Sequence, residues 1–451
     1  MAHFPLFMLA DLTTFFTELP HQQLITLGLL IAMIVCLATL VNTNFGLSIL
    51  VFMMLLSPEI EVAQLPERAV TIRIEDFLIG VVFFTWLAKM ALIKEIGLFR
   101  RSVLNRPMVL YLFILTFSTL IALQQGTLRA GGSYFYLLKY AEYFVIFFMF
   151  YNNVTSKEQV QKFLAFSLFT GLCVYLYVLS TIGKYSRLGA PFEGDHPEPG
   201  SLGGYLLVQI AILLGLILHA EWPKHRILLY GLFFLSVVTL VMSTSRGAML
   251  AFPPLYVAAI ILSPRHRVQL VAAVPITLLI GYPFVPPGII HWFLQAFHAG
   301  AEGGKAYQIG AVNVELGPSG KARIDAWQHV YHLWCTSPII GKGIVGVGIV
   351  DSQFMRTLGE VGVVGIAIFL WLLAMVFKAG YEAYKSNDSL TRALGVGVLL
   401  ANVGLIVQGL SANSYIIVRI MEPFWFLVAM ALGMTRLVEE EAKEKVTVKT
   451  A

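Results

Sequence analysis

The chain has 451 residues, of which 58% are hydrophobic and 13% charged, with a formal net charge of +5. A soluble domain carries about 25% charged residues, so a soluble globular protein is excluded, and the small positive balance gives no reason to expect nucleic acid as a partner. Apolar runs of about 20 residues, each long enough to cross a bilayer, recur along the whole length. A transmembrane β-barrel, with strands of about ten alternating residues, is excluded as well, and the expected fold class is all-α and polytopic.

In chain order, about thirteen hydrophobic segments are predicted, near 21–41, 43–57, 76–93, 106–124, 132–151, 159–182, 199–220, 226–243, 246–263, 267–284, 361–381, 390–411 and 417–437. The second is short enough to be re-entrant, so 12–13 membrane helices are expected. They divide the chain into an N-terminal bundle (1–284), a large polar loop (285–360), C-terminal membrane helices (361–437) and a tail (438–451). No internal repeat suggests the inverted halves of many transporters. The first twenty residues lack Lys and Arg and carry Asp11 and Glu18, which argues against a cleaved signal peptide. Cys36, Cys173 and Cys335 are too widely spaced for a disulfide framework or zinc site.

Lys and Arg in the short loops set the orientation. Lys94, Arg100, Arg101 and Arg106 follow the third segment. Alternate later loops carry Lys157 and Lys162, Lys224 and Arg226, Arg265 and Arg267, then Lys378, Lys385 and Arg392. With Arg436, Lys443, Lys445 and Lys449 of the tail, all fall on one side, the expected cytoplasmic side. The tail LVEEEAKEKVTVKTA reads as a solvated helix end. The opposite face then carries 58–75, 125–131, 183–198, the Ser243–Arg246 corner, 285–360 and Ser411–Tyr415.

Three stretches on that face hold residues suited to chemistry. In STSRGAML, Ser243–Leu250, small residues leave the Arg246 guanidinium room to approach a ligand, and its fork suits phosphate; the ordinary alternative is snorkelling to the interface. RLGAPFEGDHPEPGSLGGYL, Arg187–Leu206, is turn-rich and carries Glu193 and His196. It reads either as a solvated loop or as a helix start that binds an anion through its amides. In the large loop, Ile324, Trp327, Tyr331 and Trp334 recur at helical spacing, so Ala322–Cys335 is predicted as an amphipathic helix. Pro338 and Gly341–Gly348 then form a turn-rich connector. Arg323 reads as an ion-pair partner on a solvated face or as a ligand contact, and Asp351 as a helix N-cap or as a catalytic base. His329 and His332 fall on the polar side of the helix, and Ile289–His298 is an expected interfacial stretch. Lys139 with Glu142 and Arg419 with Glu422 are spaced to neutralise each other inside helices.

STSRGA, the arginine before SLGGYL, and Arg323-x-x-x-Trp327 followed by SPIIGKG and DSQFMRTLGEVGVVG resemble the O-antigen ligase and O-antigen polymerase family. The resemblance spans most of the chain. It implies a helical, lipid-dependent glycosyltransferase of the GT-C-like class in the bacterial inner membrane. Such an enzyme transfers glycan from undecaprenyl diphosphate to an acceptor hydroxyl on the periplasmic face, with no metal or cofactor. Ligases of the family carry His-Asn at the start of the motif ending Glu-x-Gly-x-x-Gly. Counting back from Glu360, Gly362 and Gly365 places Asp351-Ser352 there, which favours an exopolysaccharide or O-antigen polymerase. A ligase acting on a lipid or protein acceptor and a transporter of lipid-linked sugar remain the alternatives.

A diphosphate leaving group departs as an anion and needs cations more than a proton. Arg187, Arg246 and Arg323 supply them in this reading, and Asp351 takes the proton of the attacking hydroxyl. One displacement inverts the anomeric centre. Glu193, His196 and Glu360 on the same face are further substrate-binding candidates. The implied partners are the lipid-linked oligosaccharide, an acceptor glycan, the lipid bilayer and a chain-length regulator protein.

Overall fold

The structure is a computed structural model of the chain and describes residues 21–450 except 66–67, 94–99, 129, 184–187, 194–197, 282–304, 310–311, 317 and 349. Each of the thirteen hydrophobic segments is a helix. α1 (His21–Val41) and α2 (Thr43–Leu56) lead to an antiparallel hairpin of β1 (Glu59–Leu65) and β2 (Arg68–Arg73). There follow α3 (Ile74–Ile93), α4 (Asn105–Gln124), α5 (Ala130–Asn153), α6 (Lys157–Ser180), α7 (Pro199–His219), α8 (Arg226–Met242), α9 (Arg246–Leu262) and α10 (Arg267–Gly281). A second hairpin, β3 (Lys305–Ile309) with β4 (Val312–Leu316), precedes α11 (Pro318–Thr336). The chain ends with α12 (Gln353–Tyr384), α13 (Ser389–Gly409) and α14 (Val418–Thr450). It is an all-α integral membrane protein apart from these two small hairpins.

Seven helices are by themselves long and apolar enough to cross a membrane among the described residues: α4, α6, α7, α8 with the turn before it, α12, α13 and α14. α3 carries Glu75 and Asp76, and α5 carries Lys139 and Glu142, which lowers their apolarity. α10 differs from expectation. After the break at Ser263-Pro264 it turns by 102° from α9 instead of running straight back, because proline cannot continue the helical ladder. α12 starts at Gln353, and α14 continues through the tail, which reads as a helix end in the sequence.

α7 is the central post. It is apolar all round, every residue from Ser201 to Ile217 is buried, and α8, α9, α13 and α14 pack on it. The helix ends sort into two sets. At one end Lys157 pairs with Asp388, Arg100 lies 3.6 Å from Glu440, and Arg436 donates to Tyr151 O at 3.2 Å. This gathers the basic loops as the charge bias predicts. Among the described residues, the Ser243–Arg246 corner, the start of α7 and the turn at 410–415 gather at the opposite end.

At that opposite end α12 is broken. Gly362 has φ +66°, so the helix ladder lapses around it. The turn after α11 fills the gap with its own backbone. Lys342 N–H donates to Gly359 O (2.9 Å), Gly343 N–H to Glu360 O (2.8 Å), and Val363 N–H to Pro338 O (2.9 Å). Ser118 Oγ on α4 donates to Ile340 O and Glu360 O at 2.7 and 2.8 Å. A Cβ on Gly362 would sit 2.3 Å from Ile339 O. Gly362→Ala combines that clash with a backbone conformation (φ +66°, ψ −167°) that is essentially glycine-only and costs about 1–3 kcal/mol, so its thermal midpoint in detergent should fall well below that of Gly348→Ala. Gly348 also has positive φ but nothing within 4 Å of its Cβ position. Equal losses at the two sites would show that the backbone junction contributes nothing.

Candidate functional site

The STSRGA corner joins α8 to α9. Ser243 N–H closes the last turn of α8 on Thr239 O (2.9 Å), Thr244 turns the chain with φ +57°, and Arg246 opens α9. Gly203 lets this corner lie directly on the first turn of α7: a Cβ there would be 2.5 Å from Ala248 Cβ and 2.7 Å from Ser245 Oγ. The end of α13 closes the third side. Gln408 Nε2 donates to Gly200 O (2.8 Å), and a Cβ on Gly247 would lie 2.6 Å from Ser411 Oγ.

The turn after α13 also holds the start of α12. Gln353 N–H donates to Ala412 O (3.1 Å), and Gln353 Oε1 accepts from Tyr415 N–H (3.1 Å). Ser352, not Asp351, is the N-cap of α12, its side chain accepting from Met355 N–H. Asp351 is exposed just ahead of the cap. Asp351 and Arg246 thus flank one turn, 410–415, from two sides.

The loop before α7 is braced from α14. Buried Arg419 donates to Pro191 O (2.8 Å) and lies 3.5 Å from Glu193, whose Oε2 accepts from Ala190 N–H (3.0 Å) and Glu198 N–H (3.1 Å). The expected pairing of Arg419 with Glu422 is therefore corrected: the guanidinium turns toward the loop, and neither Glu422 oxygen has a hydrogen-bond partner. Lys139 meets Glu142 at 3.1 Å as expected, and also Asp76 at 2.5 Å across to α3.

Two observations mark this end as more than a scaffold. Phe192, Thr244 and Val345, at φ +63°, +57° and +69°, are the non-glycine residues with positive φ among the described residues, and each falls in one of the three singled-out stretches. Such conformations cost about 1–3 kcal/mol and concentrate at functional sites. Ser201 Oγ, Gln408 Oε1, Asn413 Oδ1 and Ser414 Oγ are buried without hydrogen-bond partners where α7 meets the 408–415 turn. Tyr111, Tyr175, Tyr205 and Glu422 carry such atoms elsewhere in the bundle as well, so it is the position of these four, beside the STSRGA corner, that suits a ligand with several hydroxyls.

The remaining sequence candidates fall as follows. Arg187 and His196, like Ile289–His298, lie outside the described residues. Arg323 is half-buried on α11, its Nε buried and without a hydrogen-bond partner. Glu193 and Glu360 are engaged internally. Glu360 Oε1 accepts from Arg356 Nε (2.9 Å) and Val345 N–H (2.8 Å), with the Arg356 guanidinium 5.5 Å from the Tyr136 ring centroid. Arg356 was missed, although its i, i+4 spacing to Glu360 was a readable signal. Among the described residues no group of three His, Cys, Asp or Glu could hold a metal ion. Removing one partner of a buried ion pair costs about 3–5 kcal/mol. Glu360→Gln and Arg356→Met should each lower the melting midpoint sharply, while the double variant recovers part of the loss; additive losses would contradict the coupling.

No curated protein matches the chain. The O-antigen ligase family model matches residues 231–370, a stretch that holds the STSRGA corner, α11, the junction turn and the break in α12. Over this stretch the chain is similar to the O-antigen ligase family.

Proposed function

We propose that the protein is a polysaccharide polymerase of the bacterial inner membrane. It moves a glycan from undecaprenyl diphosphate to the hydroxyl of an acceptor glycan on the periplasmic face, by a single inverting displacement. The observation that carries this reading is the placement of Arg246 and Asp351 on either side of the 410–415 turn, at the end of the molecule away from the basic loops. Arg246, with Arg187 and Arg323, stabilises the departing diphosphate. Asp351, exposed and released from capping by Ser352, takes the proton of the attacking hydroxyl. Glu193 and Glu360 hold the flanking segments from behind. An acid where ligases carry histidine favours polymerisation over ligation, and a chain-length regulator is a fitting partner.

Purified protein with a polyprenyl-diphosphate repeat unit tests the reading. Longer lipid-linked chains support it; transfer to a different acceptor supports a ligase, and movement without new bonds a transporter. Asp351→Asn should lower turnover by roughly 10²–10⁴ with an unchanged melting midpoint, since Ser352 keeps the cap. An active, stable Asn variant would remove Asp351 as the base. Arg246→Ala should cost about 2–4 kcal/mol of transition-state stabilisation, and Lys should rescue poorly because it lacks the bidentate fork. Wild-type turnover in the Ala variant would reassign Arg246 to snorkelling.

A further inference from the structure

α11 has three distinct flanks. Val330 is fully buried against Val347 and Val350, with Trp327, Leu333 and Met355 packed beside them. Asp325, His329, His332 and Thr336, at i, i+4, i+7 and i+11, form an exposed polar edge. Ile324, Tyr331 and Trp334 form the other edge, while Trp327 of the same apolar stripe turns in toward Val330. Amphipathicity predicts that this stripe is the packed one, yet Tyr331 is 52% exposed and Trp334 is half-buried.

That aromatic edge continues into the bilayer-facing surface of α12. Trp334 Nε1 donates to Pro338 O (3.0 Å), and the adjacent Ile339 is 65% exposed. Pro338 O and Ile339 O accept from Val363 and Val364 N–H at 2.9 and 3.4 Å. Val363 and Val364 are exposed, as are Leu370 and Trp371 further along the same span. An apolar surface therefore runs without interruption from the span through Ile339 to Trp334 and Tyr331, whose rings lie 5.6 Å apart.

We infer that α11 is a membrane-surface anchor, lying along the bilayer with its Ile324–Trp334 edge and Ile339 in the headgroup region and its Asp325–Thr336 edge in water. Tyr and Trp are the side chains that favour this depth, with an apolar body and a polar tip. A helix with one apolar and one polar edge lies in the interface plane. Continuity with the lipid-facing side of α12 selects lipid over a protein partner as the occupant. The anchor fixes the height of Arg323 and of the α12 start, and this inference stands whatever reaction the site performs.

The test is depth-resolved quenching in lipid nanodiscs. In a variant with Cys36, Cys173 and Cys335 replaced, an environment-sensitive label is placed at Tyr331→Cys or His329→Cys, and lipids carry a quencher near the headgroup. The label at 331 should be quenched several-fold more than the label at 329, and a water-soluble quencher should give the reverse order. Equal quenching at the two positions, or stronger lipid quenching at 329, would overturn the anchor. Should Tyr331→Cys fold poorly, the native exposed Cys335 against Thr336→Cys gives the same comparison without touching the aromatic residues.

Discussion

The arrangement depends on a helix that stops and restarts. At Gly362 the backbone of α12 takes a conformation open to glycine at little cost, and the turn after α11 supplies the hydrogen bonds that the helix forgoes. A broken helix within a membrane protein leaves amides and carbonyls that lipid cannot satisfy. Satisfying them with a chain segment from the polar loop ties that loop rigidly to the bundle. Glu360 adds a second tie, since its carboxylate holds Val345 N–H while Arg356 compensates its charge. The SPIIGKG and Glu-x-Gly-x-x-Gly motifs are thus two halves of one joint.

Because the joint is fixed, so is the start of α12, and with it the position of Asp351. The rest of the site is built by close approach. Gly203 and Gly247 let the first turns of α7 and α9 and the end of α13 meet with almost no side chain between them. What remains there is polar: an arginine at a helix start, four buried atoms in need of partners and the strained Thr244 held by its surroundings. Such a region is costly for a bundle that only needs to be stable, which is the physical case for reading it as a site.

Much of this was legible in the sequence, and the limits are instructive. Hydrophobic runs locate the helices because lipid demands them, and the basic loops gather at one end as charge bias requires. Pattern alone misjudges partners. Arg419 and Glu422 are correctly spaced, but the carbonyl of Pro191 and the carboxylate of Glu193, distant in sequence, capture the guanidinium. Asp351 looks like a cap, yet Ser352 is one residue closer to the first free amides. The alternating Glu59–Leu65 segment carried a strand signal within a stretch read as loop. The aromatic stripe of α11 was visible, but periodicity cannot say whether an apolar edge faces protein or lipid.

The central claim is that the starts of α7, α9 and α12 converge on the turn after α13. The most direct test is a cross-link. A Cβ on Gly247 would lie 3.9 Å from Ser411 Cβ, close to the mean of about 3.8 Å in disulfides. With the three native cysteines replaced, Gly247→Cys with Ser411→Cys should form a disulfide under mild oxidation in the membrane, seen as a reducible shift after cleavage between the two positions. A folded, monodisperse double variant that does not cross-link would contradict the convergence on which the site rests.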